Sequence, residues 1–450
     1  MLSAIIVVFV VGYLAIAFEH KLNINKAASA IFIGGVCWTL YVLDQENLVK
    51  NVPEWFTVQA EAEGGHADSL HYLVDGQLMH TLAEIAQILF FLMGAMTIVE
   101  QVDAHEGFSI ITDRINSRSK RKLLWIVSWL AFVFSSVLDN LTTTIVMVSL
   151  LRKIIHDKDL RKLFVGVVII AANAGGAWTV IGDVTTTMLW IKNKIGTVEV
   201  MQALLLPSIT CLLVPLIGIS YFLKGDMNPR DKHHSAHVAT GIKPWHQKLF
   251  LFLGLIGLLS VPVFKTYTHL PPFMGMLISL SIMWIISDLI SHTLDEATRS
   301  STGVVGVLKR IDMSSILFFL GILLAVGSLS ATGVLSGLAE KLDHSIKSHE
   351  IIAIVIGLVS AVVDNVPLVA AGIEMYELPT NDNFWLMLAY CAGTGGSCLI
   401  IGSAAGVAAM GMEHINFVWY LRKIAPWATL GYFAGIAVYL LQTMLFAAAA

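Results

Sequence analysis

The stretch SVLDN, residues 136–140, lies within the apolar segment 123–150, and a close copy, AVVDN at residues 361–365, lies within the apolar segment 351–375. Each copy places an aspartate and an asparagine in a part of the chain apolar enough to be buried in a membrane. An ionised side chain at membrane depth costs at least about 3 kcal/mol, so an acid there predicts a functional site. The duplication further predicts a transporter built from two related halves.

The composition is typical of a membrane protein with many spans. Of the 450 residues, 56% are hydrophobic and only 13% are charged, whereas soluble domains carry roughly 25% charged residues. The sequence has no nucleotide-binding loop, nucleic-acid-binding patch, cofactor motif or catalytic serine motif, so it predicts neither an enzyme nor a nucleic-acid-binding protein. The four cysteines lie in apolar segments and are interpreted as buried hydrophobic residues.

Loop charge predicts that 123–150 and 351–375 are re-entrant hairpins. The flanking segments 102–122 and 151–162 are both rich in Lys and Arg, which places both on the cytoplasmic side. Only 28 residues separate them, whereas two full crossings need about 40. A hairpin that enters the membrane halfway and returns satisfies both constraints. The flanks of 351–375 are not basic, so the second hairpin is predicted to enter from the opposite face.

The remaining apolar runs predict ten spans, two of them broken. Together with the hairpins they predict an all-α polytopic membrane protein of two inverted repeats, each with five transmembrane spans and one re-entrant hairpin. The first repeat would cover residues 1–223, the second 246–450, and residues 224–245 would form a cytoplasmic linker. The spans are predicted near 2–18, 27–43, 81–101, 163–190, 200–223, 246–264, 271–291, 313–338, 384–410 and 418–446.

Paired glycines predict where two spans unwind. NAGG at residues 173–176 lies in the span 163–190, and GTGG at residues 393–396 lies in the span 384–410. Glycine favours non-helical backbone, and an unwound turn exposes carbonyl oxygens and half-helix ends that suit a small cation. Two hairpin tips that face two broken helices would gather these groups near the membrane midplane.

Oxygen-bearing side chains in these segments predict a site shared by an alkali cation and a proton. Sodium and lithium prefer oxygen ligands, as other hard cations do. A buried carboxylate can be neutralised by a proton or by a metal ion but seldom by both, so ion exchange follows from their competition. The predicted cation- and proton-binding residues are Asp139, Asn140, Thr142, Thr143, Asn173, Asp183, Thr185, Thr186, Asp364, Asn365, Thr394 and Ser397, with Ser403 as a further hydroxyl. The predicted Na⁺ ligands among them are Asp139, Asn140, Asn173, Asp364 and Asn365.

Several of these residues have alternative interpretations. Asp139 and Asp364 could cap helices inside structural hairpins, Asp183 could lie at the outer mouth of its helix, and the threonines 185–187 could bond to their own helix. The acids that could transfer protons or serve as interfacial charges are Glu84, Glu100 and Asp312. The linker histidines, which could form a solvated loop or a pH sensor, are His233, His234, His237 and His246.

The chain resembles the NhaD-type sodium/proton antiporters of the ion transporter superfamily. The resemblance is carried by Asp139-Asn140, Asp364-Asn365, the NAGG motif at 173–176 and the IGDVTT motif at 181–186, and it extends over essentially the whole chain. It implies efflux of Na⁺ or Li⁺ driven by inward proton movement at alkaline pH, in a bacterial inner membrane. It also implies a homodimer with a scaffold domain and a mobile transport domain that works by an elevator-like movement.

Other functions remain open. Dicarboxylate carriers of the same superfamily have Ser-Asn-Thr at both hairpin tips, and here an acid replaces the serine, which disfavours an anionic substrate. Sodium-coupled symport of a dicarboxylate or another anion is nevertheless the main alternative to antiport. An intramembrane aspartyl protease would need a Gly-x-Gly-Asp motif that the sequence lacks, and a passive channel would conduct without proton coupling.

Overall fold

The computed structural model describes residues 1–17, 19–22, 24–49, 52–53, 56–58, 68–112, 115, 117, 119–226, 242–291 and 296–449. Across these ranges the regular secondary structure is helical, with one isolated backbone bridge between Ser119 and Asp226. The all-α prediction is therefore confirmed for this part of the chain. Most of the predicted linker 224–245, including His233, His234 and His237, lies outside the described residues. His246 was predicted in that loop but is buried in the first turn of helix Pro244–Thr268.

The chain is a multi-pass membrane protein. Within the described ranges, seven helices are long and apolar enough to cross a membrane: Lys26–Leu43, Ser69–Ala104, Thr197–Phe222, Pro244–Thr268, Pro272–Ser291, Met313–Ala331 and Ala425–Leu445. Other helices are Leu2–Ala17, Glu19–Leu22, Gln45–Leu48, Ser109–Thr112, Glu296–Thr302, Val304–Leu308, Val334–Ile346 and Phe417–Lys423. The second of the long helices, Ser69–Ala104, contains a π-helical segment at Tyr72–Leu78.

Two predicted spans differ clearly from the structure. The span expected at 418–446 is divided at Ile424 into helices Phe417–Lys423 and Ala425–Ala449. Residues 313–338 were expected to form one span, but the helix ends at Ala331 and a second helix begins at Val334. Gly333 lies between them with φ +74, a left-handed conformation that glycine adopts without steric cost and that commonly ends helices. The span is therefore a helix of normal length followed by a separate helix, Val334–Ile346.

Two compact units make up the fold, and they interleave along the chain. Unit 1 comprises Met1–Phe90, Asp312–His349 and Val366–Leu378, and unit 2 comprises Phe91–Ile311, Glu350–Asn365 and Pro379–Ala450. In unit 1, helices Lys26–Leu43 and Met313–Ala331 approach so closely at Gly34 that a Cβ atom there would lie 2.6 Å from the carbonyl oxygen of Gly321. Small residues at the contact allow this backbone approach, as in other membrane helices.

Unit 2 contains the first of two helix pairs, each interrupted by a short tip. Pair 1 is formed by helices Lys120–Ser135 and Asn140–Ile154, and its tip, tip 1, is residues 136–139. Pair 2 is formed by helices His349–Val359 and Asn365–Met375, and its tip, tip 2, is residues 360–364. Both tips carry the duplicated aspartate as their last residue. They coincide with the segments that the sequence singled out.

Two broken helices lie entirely in unit 2. Broken helix 1 consists of Lys158–Gly176 and Val184–Ile191, and residues 177–183 between them are break 1. Broken helix 2 consists of Asn383–Gly395 and Ala404–Glu413, and residues 396–403 between them are break 2. Each first half ends at its glycine pair.

A serine contact recurs where each helix pair meets its broken helix. Ser135 Oγ donates to the carbonyl oxygen of Ala172 at 2.6 Å. Ser360 Oγ donates to the carbonyl oxygen of Ala392 at 2.9 Å. The two serines are 225 positions apart in the sequence and the two alanines 220 positions apart. The same hydrogen bond therefore joins equivalent residues in both halves of the chain.

A glycine contact recurs in the same way. A Cβ atom on Gly175 would collide with the carbonyl group of Phe132, and one on Gly395 would collide with the carbonyl group of Gly357. These partners are again 225 and 220 positions apart. Only glycine allows this close approach, so the spacing of the glycines fixes how each broken helix packs on the first helix of its pair.

The far ends of the two broken helices are anchored differently. Glu413, at the end of broken helix 2, has a 3% exposed side chain and pairs with Arg152 Nε at 2.5 Å and Arg161 Nε at 2.7 Å. The loop after broken helix 1 is held by Asn381, whose Oδ1 accepts from the Gly196 backbone N–H at 2.6 Å. One anchor is therefore ionic and the other is neutral.

Candidate functional site

Asp183 lies at the centre of a buried polar network in unit 2. It is the last residue of break 1, and its side chain is 2% exposed. Its Oδ1 accepts from the backbone N–H of Thr185 at 2.9 Å and from the Thr185 hydroxyl at 2.8 Å. A carboxylate in this N-cap position starts the second half of the broken helix. Asp183 is thus a buried group rather than one at an exposed helix mouth.

The duplicated asparagines of the two helix pairs both point to Asp183. Asn140 Nδ2 donates to Asp183 Oδ2 at 2.7 Å, and Asn365 Nδ2 lies 3.5 Å from Asp183 Oδ1. Both asparagines are buried. An ionised carboxylate can only accept hydrogen bonds, so the donors around Asp183 match its ionised form.

Asn173 extends the network from broken helix 1 to break 2. Its side chain is fully buried, and its Oδ1 accepts from Asn140 Nδ2 at 3.1 Å. Its Nδ2 donates to the hydroxyl oxygens of Ser397 at 2.8 Å and Ser403 at 3.0 Å. Residues from both broken helices, their breaks and the starts of the second helices of pairs 1 and 2 are therefore linked through neutral oxygens and one carboxylate.

The Asp139 carboxylate caps its own helix and makes no hydrogen bond to the residues of this network. Its Oδ1 accepts from the Thr142 backbone N–H at 2.8 Å, and its Oδ2 accepts from the Thr142 hydroxyl at 2.6 Å. This is the capping role that the sequence left as an alternative. Asp364 ends tip 2 directly before helix Asn365–Met375, and both aspartates are half-buried.

Two of the five predicted threonine ligands bond to nearby backbone carbonyl groups, whereas Thr142 and Thr185 bond to the aspartate side chains described above. The Thr186 hydroxyl donates to the Asp183 carbonyl oxygen at 2.9 Å, and the Thr394 hydroxyl donates to the Tyr390 carbonyl oxygen at 2.6 Å. Such bonds are common for threonine in helices. Thr143 differs, because its hydroxyl is buried and has no hydrogen-bond partner among the described residues.

The three acids considered for proton transfer each have a local contact. In unit 1, Glu84 Oε2 lies 4.0 Å from His80 Nδ1, and exposed Asp312 caps helix Met313–Ala331. In unit 2, Glu100 Oε1 lies 3.6 Å from Arg310 Nη1. None of these contacts includes a residue of the Asp183 network.

The network suits a single positive charge. One carboxylate, Asp183, is surrounded by amide and hydroxyl oxygens, which are the ligands that hard cations prefer. In the described part of the chain there is no group of three His, Cys, Asp or Glu side chains that could hold a metal ion. A monovalent cation or a proton would neutralise this carboxylate, whereas a divalent ion would leave a net charge on the hydrogen-bonded network, which is costly to bury.

Sequence reasoning missed Tyr420. Its fully buried side chain donates from the hydroxyl to the Ser397 carbonyl oxygen in break 2 at 2.8 Å. A tyrosine near a span end is ordinarily interpreted as an interfacial anchor. Only the tertiary contact distinguishes Tyr420 from such an anchor.

Comparison with known proteins gives consistent matches along the chain. The profile of the citrate transporter family matches residues 2–381. Sodium/proton antiporter 1 of Arabidopsis thaliana is 47% identical over 440 residues, covering 97% of this chain and 72% of the plant protein. Sodium/proton antiporter 2 of the same plant is 44% identical over 435 residues, covering 96% and 97%. The Na⁺/H⁺ antiporter NhaD of Vibrio cholerae is 30% identical over 468 residues, covering 97% and 91%.

These matches confirm the resemblance found in the sequence motifs, and they identify a transport protein rather than an enzyme. The family match covers most of the chain, and the relatives align along nearly all of it. The chain belongs to the citrate transporter family and, within it, to the NhaD-type sodium/proton antiporters.

Proposed function

We propose that the protein is a secondary antiporter that exchanges Na⁺ or Li⁺ for H⁺ across a cytoplasmic membrane, with Asp183 as the shared carboxylate. The observation that carries this proposal is the burial of Asp183 among Asn140, Asn365 and Thr185. The names of the relatives from Arabidopsis thaliana and Vibrio cholerae support sodium/proton exchange. The sequence analysis put Asp139 and Asp364, but not Asp183, among the predicted Na⁺ ligands. We assign the shared carboxylate to Asp183 instead, because Asn140 and Thr185 donate to it.

The asparagines would allow the Asp183 carboxylate to change from a hydrogen-bonded state to a cation-bound state. A carboxamide presents an N–H donor on one side and an oxygen acceptor on the other. Rotation of the Asn140 carboxamide by half a turn would direct its oxygen, in place of its N–H, toward a cation held by Asp183. Asn173, Ser397 and Ser403 would supply further neutral oxygens.

Proton coupling would follow from the single carboxylate within the hydrogen-bonded network. A cation on Asp183 and a proton on Asp183 each neutralise the carboxylate, and binding of one excludes the other. Asp183 would cross the membrane barrier with a bound cation or a bound proton but not as a free carboxylate, because an unpaired buried charge is costly. Asp139 and Asp364 would act from the tips as secondary carboxylates on the ion path, with Thr142 and Thr143 beside the first.

The repeated contacts support an inverted-repeat architecture. Each helix pair is joined to its broken helix by an equivalent hydrogen bond, made by Ser135 in one half and Ser360 in the other. An equivalent close approach occurs at Gly175 and Gly395. In our proposal the helix pairs are re-entrant hairpins that enter from opposite faces, as inverted repeats require. Alternating access by an elevator-like movement, a homodimer and a bacterial inner-membrane location rest on the family resemblance.

Purified protein in proteoliposomes tests the exchange. With an imposed pH gradient and a trapped pH-sensitive dye, addition of Na⁺ or Li⁺ should collapse the gradient, while K⁺ or choline of equal concentration should not. Protein-free liposomes are the control for leak. Absence of any cation-dependent proton movement between pH 6 and pH 9 would contradict the proposal.

Sodium-coupled uptake of citrate or a dicarboxylate is the second candidate, and the description of the family profile favours it. The buried Asp183 carboxylate argues against it, because an anionic substrate would be repelled there. Uptake of labelled citrate or succinate driven by an inward Na⁺ gradient in the same liposomes would establish this candidate and displace antiport.

A further inference from the structure

Break 1 is held by threonines of its own helix. The Thr179 hydroxyl donates to the Ser136 carbonyl oxygen at 2.7 Å, and the Thr187 hydroxyl donates to the Val180 carbonyl oxygen at 2.9 Å. Irregular backbone buried at membrane depth needs such partners, because no water is present to satisfy it. The two bonds fix both the start of break 1 and the helix that follows it.

Break 2 lacks these threonines. The positions equivalent to Thr179 and Thr187, 220 residues further along the chain, are Leu399 and Val407. Neither side chain has a hydroxyl group to donate. Break 2 keeps backbone bonds of its own, such as the one from the Gly402 N–H to the Leu399 carbonyl oxygen at 3.1 Å. A side-chain donor to its backbone carbonyl groups, however, has to come from a position other than these two.

Tyr420 provides the missing donor. Its hydroxyl donates to the carbonyl oxygen of Ser397 at 2.8 Å, and its side chain is fully buried. The hydroxyl of the same Ser397 accepts from Asn173 Nδ2 at 2.8 Å. The position equivalent to Tyr420 in the first half is Val200. The tyrosine contact therefore occurs in the half that lacks the threonines, and its counterpart in the other half cannot form it.

We propose that Tyr420 is a positioning residue for the cation site. By holding the Ser397 carbonyl group, it fixes the turn of break 2 that presents the Ser397 hydroxyl to Asn173. Tyr420 does not contact the ion. It sets the affinity for the cation through Ser397, and this inference rests on the proposed function.

The variant Tyr420→Phe removes only the hydroxyl group and retains the buried ring. One neutral hydrogen bond contributes about 0.5–1.5 kcal/mol net, so the concentration of Na⁺ that gives half-maximal exchange should rise about twofold to twelvefold. The maximal rate at saturating Na⁺ should stay within about twofold, because no group that carries charge is removed. The matched control is Tyr41→Phe, because Tyr41 is equally buried and its hydroxyl donates to the Ala331 carbonyl oxygen at 3.2 Å.

A second comparison separates positioning from a general loss of stability. In a Ser397→Ala background, Tyr420→Phe should raise the half-maximal Na⁺ concentration less than twofold further, because the two residues act in series. Fully additive effects of Ser397→Ala and Tyr420→Phe would overturn the inference. So would an unchanged half-maximal Na⁺ concentration in Tyr420→Phe, or an equal rise of that concentration in Tyr41→Phe. Failure of the unmodified protein to exchange Na⁺ for H⁺ would instead contradict the proposed function.

Discussion

The two broken helices share a backbone arrangement but not a chemistry. Both end their first halves at a glycine pair, and both pack against a helix pair through an equivalent serine and an equivalent glycine. Broken helix 1 carries Asn173 and Asp183, whereas the equivalent positions in broken helix 2 are Gly393 and Ser403. Small residues thus preserve the geometry in both halves, while the ionisable group is concentrated in one.

This difference suits a transporter of a single positive charge. A carboxylate in each break would place two negative charges in one buried network, which repel each other at low dielectric. One carboxylate and one serine leave a single charge for one cation or one proton to neutralise.

The largest expected difference between the halves lies in their end anchors. Glu413→Gln should lower the free energy of unfolding by about 3 kcal/mol, because it leaves Arg152 and Arg161 without their buried carboxylate. Asn381→Gly should cost only about 1 kcal/mol, because it removes one neutral hydrogen bond and glycine accepts the φ of +65 at that position. Thermal unfolding in detergent compares the two variants, and equal shifts in melting temperature would contradict the distinction between an ionic and a neutral anchor.

The glycine contacts should have intermediate and equal effects. Gly175→Ala and Gly395→Ala should each destabilise the protein by about 1–3 kcal/mol, because the added methyl group meets a backbone carbonyl group that cannot move aside. Gly411→Ala is the control, because a Cβ atom there meets nothing within 4 Å. The melting temperature and the yield of monodisperse protein measure the effect. A lower melting temperature for only one of the two variants would show that the two contacts are not equivalent.

The serine bonds should have the smallest effects. Ser135→Ala and Ser360→Ala each remove one buried hydrogen bond and should cost about 1 kcal/mol. Ser281→Ala provides the comparison, because this exposed hydroxyl bonds only within its own helix, to the Ile278 carbonyl oxygen. A melting temperature that falls for one buried serine and not for the other would weaken the equivalence of the halves.

Local sequence rules predicted the positions of the breaks and tips but not the connections between them. Paired glycines indicated where the broken helices unwind, and duplicated Asp-Asn steps indicated the tips, because both signals act on nearby backbone. Asp139 and Asp183 each precede a threonine-containing helix start, and only Asp139 has a duplicated aspartate, so that reasoning favoured Asp139. Which of them meets the asparagines depends on packing between segments distant in sequence, and the same is true of the Tyr420 contact with Ser397.

The most direct test of Asp183 as the shared carboxylate compares two variants, Asp183→Asn and Asp139→Asn, in proteoliposomes. The measurement is the proton movement that Na⁺ evokes. Asp183→Asn should abolish exchange at every pH, because it removes the one carboxylate that a cation and a proton share. Asp139→Asn should retain measurable exchange with a lower apparent affinity for Na⁺, because asparagine can still cap the helix. Full exchange in Asp183→Asn, together with none in Asp139→Asn, would contradict the claim and return the essential carboxylate to tip 1.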